Sequence, residues 1–285
     1  MKMTPDLSLS FEFFPPRSEA ARASLWSTLD ALTPLAPRFV TITYGAGGTT
    51  REHTETTAAA IAAQTGIPAA AHLTCVDTDR ATTLATARHF WQAGLRHIVA
   101  LRGDPPRAGE NFVPRQDGFA NARELVAALK TVAPFEISVA AYPDGHPDSI
   151  GADADLDYLK AKIDAGADQI LTNFFFDPEA FLRLRDRAAA AGIAAPVIPG
   201  IMPIVNVAQL RNFAQRCGLT IPPNFNQSLD GLDEQPDQRD AFAINFALNL
   251  CQSLRAEGVR HFHFYTLNRA KLPHAICAAL GGASR

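Results

Sequence analysis

The sequence predicts an α/β fold, the (β/α)₈ TIM barrel, because short β-rich apolar runs alternate with Ala-rich amphipathic stretches along the chain. Strand starts recur about every 30 residues up to the seventh strand, which is typical of parallel strands joined by crossover helices. Polar residues also stand near the ends of most strands, where a barrel collects its active-site side chains. A doubly wound open sheet shares the alternation, but no GxGxxG or P-loop follows any strand.

Eight segments carry the strand pattern, and turn residues or helical patterns separate them. Eight such units are what closes a barrel. They are 8–14, 39–45, 69–75, 97–103, 136–143, 169–176, 195–201 and 261–267.

Helical patterns lie between the strands, and several end at a glycine that suits a left-handed cap. They include 51–66, 82–94, 120–132, 156–167 and 178–192. The stretch 202–260 is too long for one helix and is predicted to hold two, with the Pro/Asn/Asp-rich segment 221–237 as a mobile part of the rim. No low-complexity linker divides the chain, so 1–285 is predicted to be one barrel domain.

Composition narrows the function classes. With 47% hydrophobic and 19% charged residues the chain can bury a large core, and its net charge of −3 gives no basic excess for nucleic acid or an anionic membrane. No secretory signal and no run of about 18 apolar residues is present, so we expect a cytoplasmic protein. The four cysteines lack CxxC or Cys/His spacing, which predicts reduced, buried thiols and no metal site.

Glu12 is the first candidate for chemistry. It lies in FEFFPP, where one carboxylate interrupts a strand of phenylalanines. A carboxylate among aromatic rings is costly to desolvate, so its pKa is expected to rise until it holds a proton near neutral pH, as a general acid must. A solvated or ion-paired strand residue is the alternative.

Two strand ends offer ligand contacts. In LRGDPP, Arg102 can form forked hydrogen bonds, Gly103 lets a ligand approach the backbone, and Asp104 supplies a fixed negative charge. In YPDGHP, Tyr142 and His146 offer an aromatic face and an imidazole to a planar or phosphorylated ligand. A simple turn and a structural histidine are the alternatives.

Eight motifs in collinear order resemble the methylenetetrahydrofolate reductase family, over residues 8–280. They are SFEFFPP, VTITYGAGG, AAHLTC, ALRGDPP, EISVAAYPDGHP, DAGADQILTNFFFD, VIPGIMPI and FHFYTLNRA. The resemblance implies the single-domain bacterial form, a (β/α)₈ barrel that carries FAD and has no C-terminal regulatory domain. It implies ping-pong reduction of 5,10-methylenetetrahydrofolate to 5-methyltetrahydrofolate by NADH or NADPH, supplying methyl groups for methionine synthesis.

The resemblance also implies roles for particular residues. Glu12 would protonate N10 of the folate, and Asp104, beside flavin and pterin, would stabilise the developing iminium charge. The positions that match FAD contacts are Thr43, Tyr44, Ala46, His72, Arg102, Gly103, Asp104, Ala120, Tyr142, His146, Asp155, Tyr158 and Lys162. Those that match folate or nicotinamide contacts are Asn173, Gln209, Phe213 and Arg269.

The chain departs from the family pattern at several positions. Asn173 stands where the bacterial enzymes usually have Gln, and Tyr158 and Ala161 stand where Asn and Arg are common. The loop 107–119 is also longer than in the short bacterial form. A barrel subunit that receives electrons from a protein partner is therefore an alternative function, and a folate-binding methyltransferase is a third. We expect a homo-oligomer, and the choice between NADH and NADPH stays open because there is no Rossmann ribose-binding position to interpret.

Overall fold

Parallel strands alternate with helices in the computed structural model, which describes residues 7–44, 51–104 and 112–281. The strands pair in the order β7-β6-β5-β4-β3-β2-β1-β9-β8, and every pairing is parallel. The sheet confirms the predicted barrel class. Its strands are β1 (Ser8–Phe13), β2 (Phe39–Ile42), β3 (Ala69–Thr74), β4 (His97–Leu101), β5 (Glu136–Ala141), β6 (Gln169–Thr172), β7 (Val197–Ile198), β8 (Gly200–Ile201) and β9 (His261–Tyr265).

Helices connect successive strands, and many begin at a residue that caps them. A side-chain oxygen of Ser18, Asp79, Asn121, Asp177 or Asn206 accepts a backbone N–H in the first turn of the helix that follows it. None of the helices in the described ranges is long and apolar enough to cross a membrane. The helices are α1 (Glu19–Leu32), α2 (Arg51–Thr65), α3 (Arg80–Gln92), α4 (Ala122–Val132), α5 (Ala152–Asp164), α6 (Pro178–Ala190), α7 (Val207–Arg216), α8 (Pro223–Ser228), α9 (Pro236–Ala256) and α10 (Lys271–Ala279).

The predicted seventh strand, 195–201, is two short strands divided at Pro199. Proline has no N–H for the ladder, so the strand cannot continue through it. Its carbonyl accepts the backbone N–H of His263 at 3.0 Å. β7 pairs with β6, whereas β8 pairs with β9, so the two halves of one segment connect the two ends of the sheet.

Gly200 is required at this junction because two neighbours approach its Cα closely. A Cβ there would lie 2.1 Å from the carbonyl oxygen of Thr172 and 2.8 Å from the hydroxyl of Tyr265. Because glycine has no Cβ, the hydroxyl of Tyr265 can donate a hydrogen bond to the Thr172 carbonyl at 2.7 Å. The contact fixes the Tyr265 ring between β6 and β8.

The stretch 202–260 holds three helices, α7, α8 and α9, rather than the predicted two. Segment 221–237, expected to be a mobile part of the rim, contains α8, a 3₁₀ turn at Leu232–Glu234 and the start of α9. Pro223 and Pro236 stand in the first turns of α8 and α9, where a missing N–H costs little. The carboxylate of Asp233 accepts the N–H of Val207 at 2.8 Å and so ties this segment to α7.

The two faces of the sheet differ in polarity. One set of alternating strand residues, such as Phe11, Ile42 and Ile98, is apolar and packs against the helices. The other set faces the barrel interior, where a small apolar cluster of Phe39, Ala70, Val99, Leu171 and Ile198 is mixed with polar side chains. These buried polar residues are Ser10, Thr41, His72, His97, Ser138, Gln169 and His263.

The prediction of buried, unpaired thiols holds for three of the four cysteines. All four are free; Cys75, Cys251 and Cys277 are buried, and Cys217 is half-buried. Burial raises the pKa of the Cys75 thiol to about 12, so it stays protonated at neutral pH.

Candidate active site

Glu12 lies near the end of β1, inside the barrel, and side chains from three other strands surround its carboxylate. Thr41 donates a hydrogen bond to Oε2 at 3.1 Å. The Nε2 atoms of His72 and His263 lie 3.2 Å and 3.6 Å from the same oxygen. One carboxylate oxygen therefore meets a hydroxyl and two imidazoles.

This cluster corrects the pKa expected for Glu12. Burial does raise the pKa of the Glu12 carboxyl, but the nearby imidazoles of His72 and His263 outweigh burial and lower it below its ordinary value. The prediction of a proton held on the carboxyl by its phenylalanine neighbours was wrong. Instead, two imidazoles from distant strands lie beside the carboxylate and favour its charged form.

A cavity of about 150 Å³ opens beside Glu12. Its wall is mainly apolar and aromatic, and Glu12 and Asn173 are its hydrogen-bonding ends, a composition that suits a flat, partly polar ligand. The structure thus brings together Glu12, Asn173 and Phe213, which were separate candidates in the sequence. The wall consists of Glu12, Phe13, Phe14, Asn173, Phe174, Met202, Phe213, Cys217, Tyr265 and Leu267.

Asn173 presents an amide donor at this cavity. Its Oδ1 accepts the N–H of Phe174 at 3.0 Å, so the carbonyl end is occupied. Its buried Nδ2 makes no conventional hydrogen bond within the described ranges, and the adjacent Cys217 sulfur is at most a weak acceptor. A buried amide donor without a strong partner is a favourable contact for a ligand carbonyl or ring nitrogen.

The end of β4 forms a second part of the rim. Gly103 has φ of 86°, and a Cβ on it would lie 2.8 Å from Cγ1 of Val76, so only glycine fits without strain. The guanidinium of Arg102 pairs with Asp148 at 2.8 Å and stacks over Phe112. Asp104 is exposed beside them, and its charge acts on Tyr142 and Cys217.

The end of β5 and helix α5 supply the neighbouring part of the rim. The rings of Tyr142 and His146 meet edge to face, with centroids 4.6 Å apart. Asp155 accepts the backbone N–H of His146 at 2.9 Å. The buried ammonium of Lys162 donates to the carbonyl of Ala140 at 2.5 Å, and burial lowers the pKa of Lys162 to about 8. Tyr158 packs its ring 5.0 Å from that ammonium.

These rim residues fit a planar cofactor that bears phosphates, such as FAD. Lys162 is a buried cation with no carboxylate hydrogen-bonded to it among the described residues. The buried hydroxyl of Thr74, packed beside Gly103, likewise has no partner there. Arg102 and Lys162 suit phosphate or carbonyl oxygens, and Tyr142 suits an aromatic ring.

Other predicted site residues lie at the edge of this region. Thr43 and Tyr44 follow β2, and Ala46 lies outside the described residues. The N–H of Ala120 donates to Glu124 at 3.3 Å. Gln209 is exposed on α7, one turn before Phe213, and Arg269 is exposed after β9, so their side chains are not part of the cavity wall.

Sequence reasoning missed the partners of Glu12 on the neighbouring strands. Thr41 and His263 were not candidates, and His72 was assigned only to the cofactor. A usable signal existed in HFHFY, where histidines recur with period two on a strand that a closed barrel must place beside β1.

Comparison with known proteins identifies a family for this chain. The profile of the methylenetetrahydrofolate reductase family matches residues 2–281. The chain is 46% identical over 276 residues to the 5,10-methylenetetrahydrofolate reductase of Escherichia coli, covering 96% of this chain and 91% of that protein. It is 36% identical to Methylenetetrahydrofolate reductase (NADH) 1 of Arabidopsis thaliana, covering 96% of this chain but 48% of that protein.

Among solved structures, an uncharacterized Clostridium thermocellum protein that binds two copies of 5-methyl-5,6,7,8-tetrahydrofolic acid matches with a TM-score of 0.61. At 12% identity, with 97% of this chain and 94% of that one covered, this match supports the fold alone. The family match over nearly the whole chain and the 46% identity carry the assignment. The chain belongs to the methylenetetrahydrofolate reductase family.

Proposed function

We propose that this protein reduces 5,10-methylenetetrahydrofolate to 5-methyltetrahydrofolate with NADH or NADPH as the electron source and FAD as the bound cofactor. The observation that carries the proposal is the Glu12 carboxylate, which lies at the wall of an apolar cavity and within 3.2 Å and 3.6 Å of two imidazoles. A substrate nitrogen in that cavity can receive a proton from the cluster. The names of the relatives support this choice of substrate.

The rim residues would hold the cofactor. Arg102 and Lys162 would bind its anionic or carbonyl oxygens, and Gly103 would let it approach the backbone. Tyr142 and His146 would pack against a ring system. When bound, FAD would supply the acceptance and donation of hydride.

Glu12 would act as the immediate proton donor, and the adjacent imidazoles of His72 and His263 would pass a proton to it. Protonation of N10 breaks the bond between N10 and the methylene carbon, and the five-membered ring opens to a 5-iminium cation. That cation is then ready to accept hydride. Displacement of water by the pterin strengthens the electrostatic coupling in the cluster and favours transfer from imidazole to carboxylate to substrate. The exposed carboxylate of Asp104 would stabilise the cationic state.

The cavity would serve both substrates. Phe213 offers an aromatic face to either a nicotinamide or a pterin, and a cavity of about 150 Å³ is too small for both at once. The two would therefore occupy it in turn, which corresponds to ping-pong kinetics.

Glu12→Gln tests the proposal because each half-reaction can be followed separately. The glutamine keeps the shape of the side chain but cannot give up a proton. We expect the folate-dependent half-reaction to slow by about 10² to 10⁴ and flavin reduction by NAD(P)H to change little. Glu136→Gln, at the exposed start of β5, is the matched control.

Anaerobic stopped-flow absorbance of the FAD-loaded protein gives both rates. Equal slowing of the two half-reactions would contradict the acid role and make Glu12 a binding or structural residue. A wild-type protein that binds FAD but is not reduced by NADH or NADPH would instead favour the subunit that receives electrons from a protein partner.

A further inference from the structure

A line of polar atoms continues from Glu12 through the barrel interior toward the opposite end. The Nε2 atom of His263 faces Glu12 Oε2 at 3.6 Å. Its Nδ1 lies 2.9 Å from the hydroxyl of Ser10, and the same hydroxyl lies 3.0 Å from Nε2 of His261. Hydrogen bonds thus link His261, Ser10 and His263 on the paired strands β1 and β9, and His263 faces Glu12 across the longer distance of 3.6 Å.

The series leads from a sealed interior to solvent. Ser10 and His263 are fully buried at 0% exposure, whereas His261 is only partly buried at the start of β9. The start of a strand lies at the end of the barrel opposite the substrate cavity. The ring of Phe39 packs against the rings of both histidines.

The proposed reaction requires a supply of protons to Glu12. Each turnover adds one hydride and one proton to the substrate, and the proton passes through Glu12. Only 15% of the Glu12 side chain is exposed, and the cavity it borders would be filled by substrate when the proton is needed. A second route for proton supply, away from the substrate, removes this conflict.

We propose that Ser10, His261 and His263 form a proton path that resupplies Glu12 from the N-terminal end of the barrel. This inference rests on the proposed function of Glu12. An acid in solvent protonates Nδ1 of His261 while its Nε2 proton passes to Ser10. The Ser10 proton passes to Nδ1 of His263, and the Nε2 proton of His263 passes to Glu12. One proton enters and one arrives on the carboxylate, so no charge is left inside the barrel.

The environment of His261 suits relay rather than storage. Burial and the nearby His263 and Arg38 lower the pKa of His261 to about 3, so the ring is neutral at pH 7 and one nitrogen can accept a proton while the other donates one. His97, which also packs on Phe39, belongs to a different network. Its Nε2 contacts the hydroxyl of Ser138 at 2.7 Å.

That second network supplies a matched control. Ser138, like Ser10, is a fully buried serine inside the barrel whose hydroxyl contacts a histidine. Ser10→Ala and Ser138→Ala each remove one buried hydroxyl, but only Ser10→Ala interrupts the line to Glu12. Both variants, loaded with FAD, are compared with wild type for flavin reduction, folate-dependent turnover and the solvent deuterium isotope effect on turnover.

We expect Ser10→Ala to lower folate-dependent kcat by about tenfold or more and to raise its solvent isotope effect, with flavin reduction unchanged. Ser138→Ala should leave all three at wild-type values. His261→Ala is the second interruption, and because that site reaches solvent, added imidazole should restore part of its turnover. A merely structural loss would not respond to imidazole.

The path is overturned if Ser10→Ala and Ser138→Ala give the same kcat and isotope effect, or if imidazole does nothing for a slowed His261→Ala. If Ser10→Ala does not fold, the effect of added imidazole on the turnover of His261→Ala tests the path by itself. Failure of the proposed function has a different signature, since Glu12→Gln would then keep a normal folate half-reaction.

Discussion

Replacing Lys162 with methionine should stabilise the FAD-free protein against unfolding and weaken its affinity for FAD. Lys162 is 7% exposed, and burial lowers its pKa from 10.5 to about 8. That pKa difference means that burying the charged ammonium lowers the free energy of unfolding by about 3 kcal/mol at neutral pH. Methionine has a similar length and no charge, so Lys162→Met removes this cost.

The substitution also removes a stabilising contact. Lys162 donates a charge-assisted hydrogen bond to the carbonyl of Ala140 at 2.5 Å, and such a bond is worth about 2 kcal/mol. The net gain is then about 1 kcal/mol in the free energy of unfolding, or about 2 °C in Tm for a chain of this size.

The pH dependence follows from the sign of the pKa shift. Below about pH 8 Lys162 is charged in both the folded and the unfolded protein, and the cost of burial is fully present. Between about 8 and 10.5 the folded protein loses the proton first, so the cost declines. The stability advantage of Lys162→Met over wild type should therefore decrease as the pH rises through this interval.

Binding should respond in the opposite sense. Loss of a buried cation that contacts an anionic or carbonyl oxygen should weaken FAD binding by about 10- to 100-fold. Urea denaturation of the FAD-free protein and fluorescence titration with FAD give the two quantities. Lys160→Met is the control, because Lys160 is exposed and pairs with Asp164 at 3.0 Å. Lower stability together with unchanged FAD affinity would refute the reasoning and make Lys162 a purely structural cation.

Two further substitutions test the rim and the cavity. Asn173→Ala removes the buried amide donor, so it should weaken folate binding about two- to tenfold with little effect on flavin reduction. Asn173→Gln keeps an amide and should be tolerated. A folate KM unchanged in Asn173→Ala would show that the position does not contact substrate. Gly103→Ala places a Cβ 2.8 Å from Val76 at a positive φ, so it should lower the free energy of unfolding by about 1 to 3 kcal/mol and displace the Arg102 backbone. Unfolding curves measure the first effect, and FAD titration measures the second. Wild-type stability together with wild-type FAD affinity would contradict the close packing at Gly103.

The barrel could be predicted from sequence because strand and crossover patterns are local. Alternation of β-rich runs with Ala-rich stretches reflects the periodicity of each element by itself. The failures occurred where local pattern was ambiguous. Pro199 divides a strand whose two halves pair with different neighbours, and prolines at 223 and 236 begin helices in a segment that reads as a loop. These outcomes depend on which partner donates or accepts each hydrogen bond.

The motifs in the sequence by themselves determined the family, and they predicted Glu12 and several strand ends as site residues. The tertiary structure alone decided the charge state of Glu12. His72 and His263 are distant in sequence, yet β3 and β9 bring both imidazoles to one carboxylate oxygen. Local burial raises a carboxyl pKa, but the interaction with nearby charges grows steeply as distance falls, and only the closed barrel sets those distances.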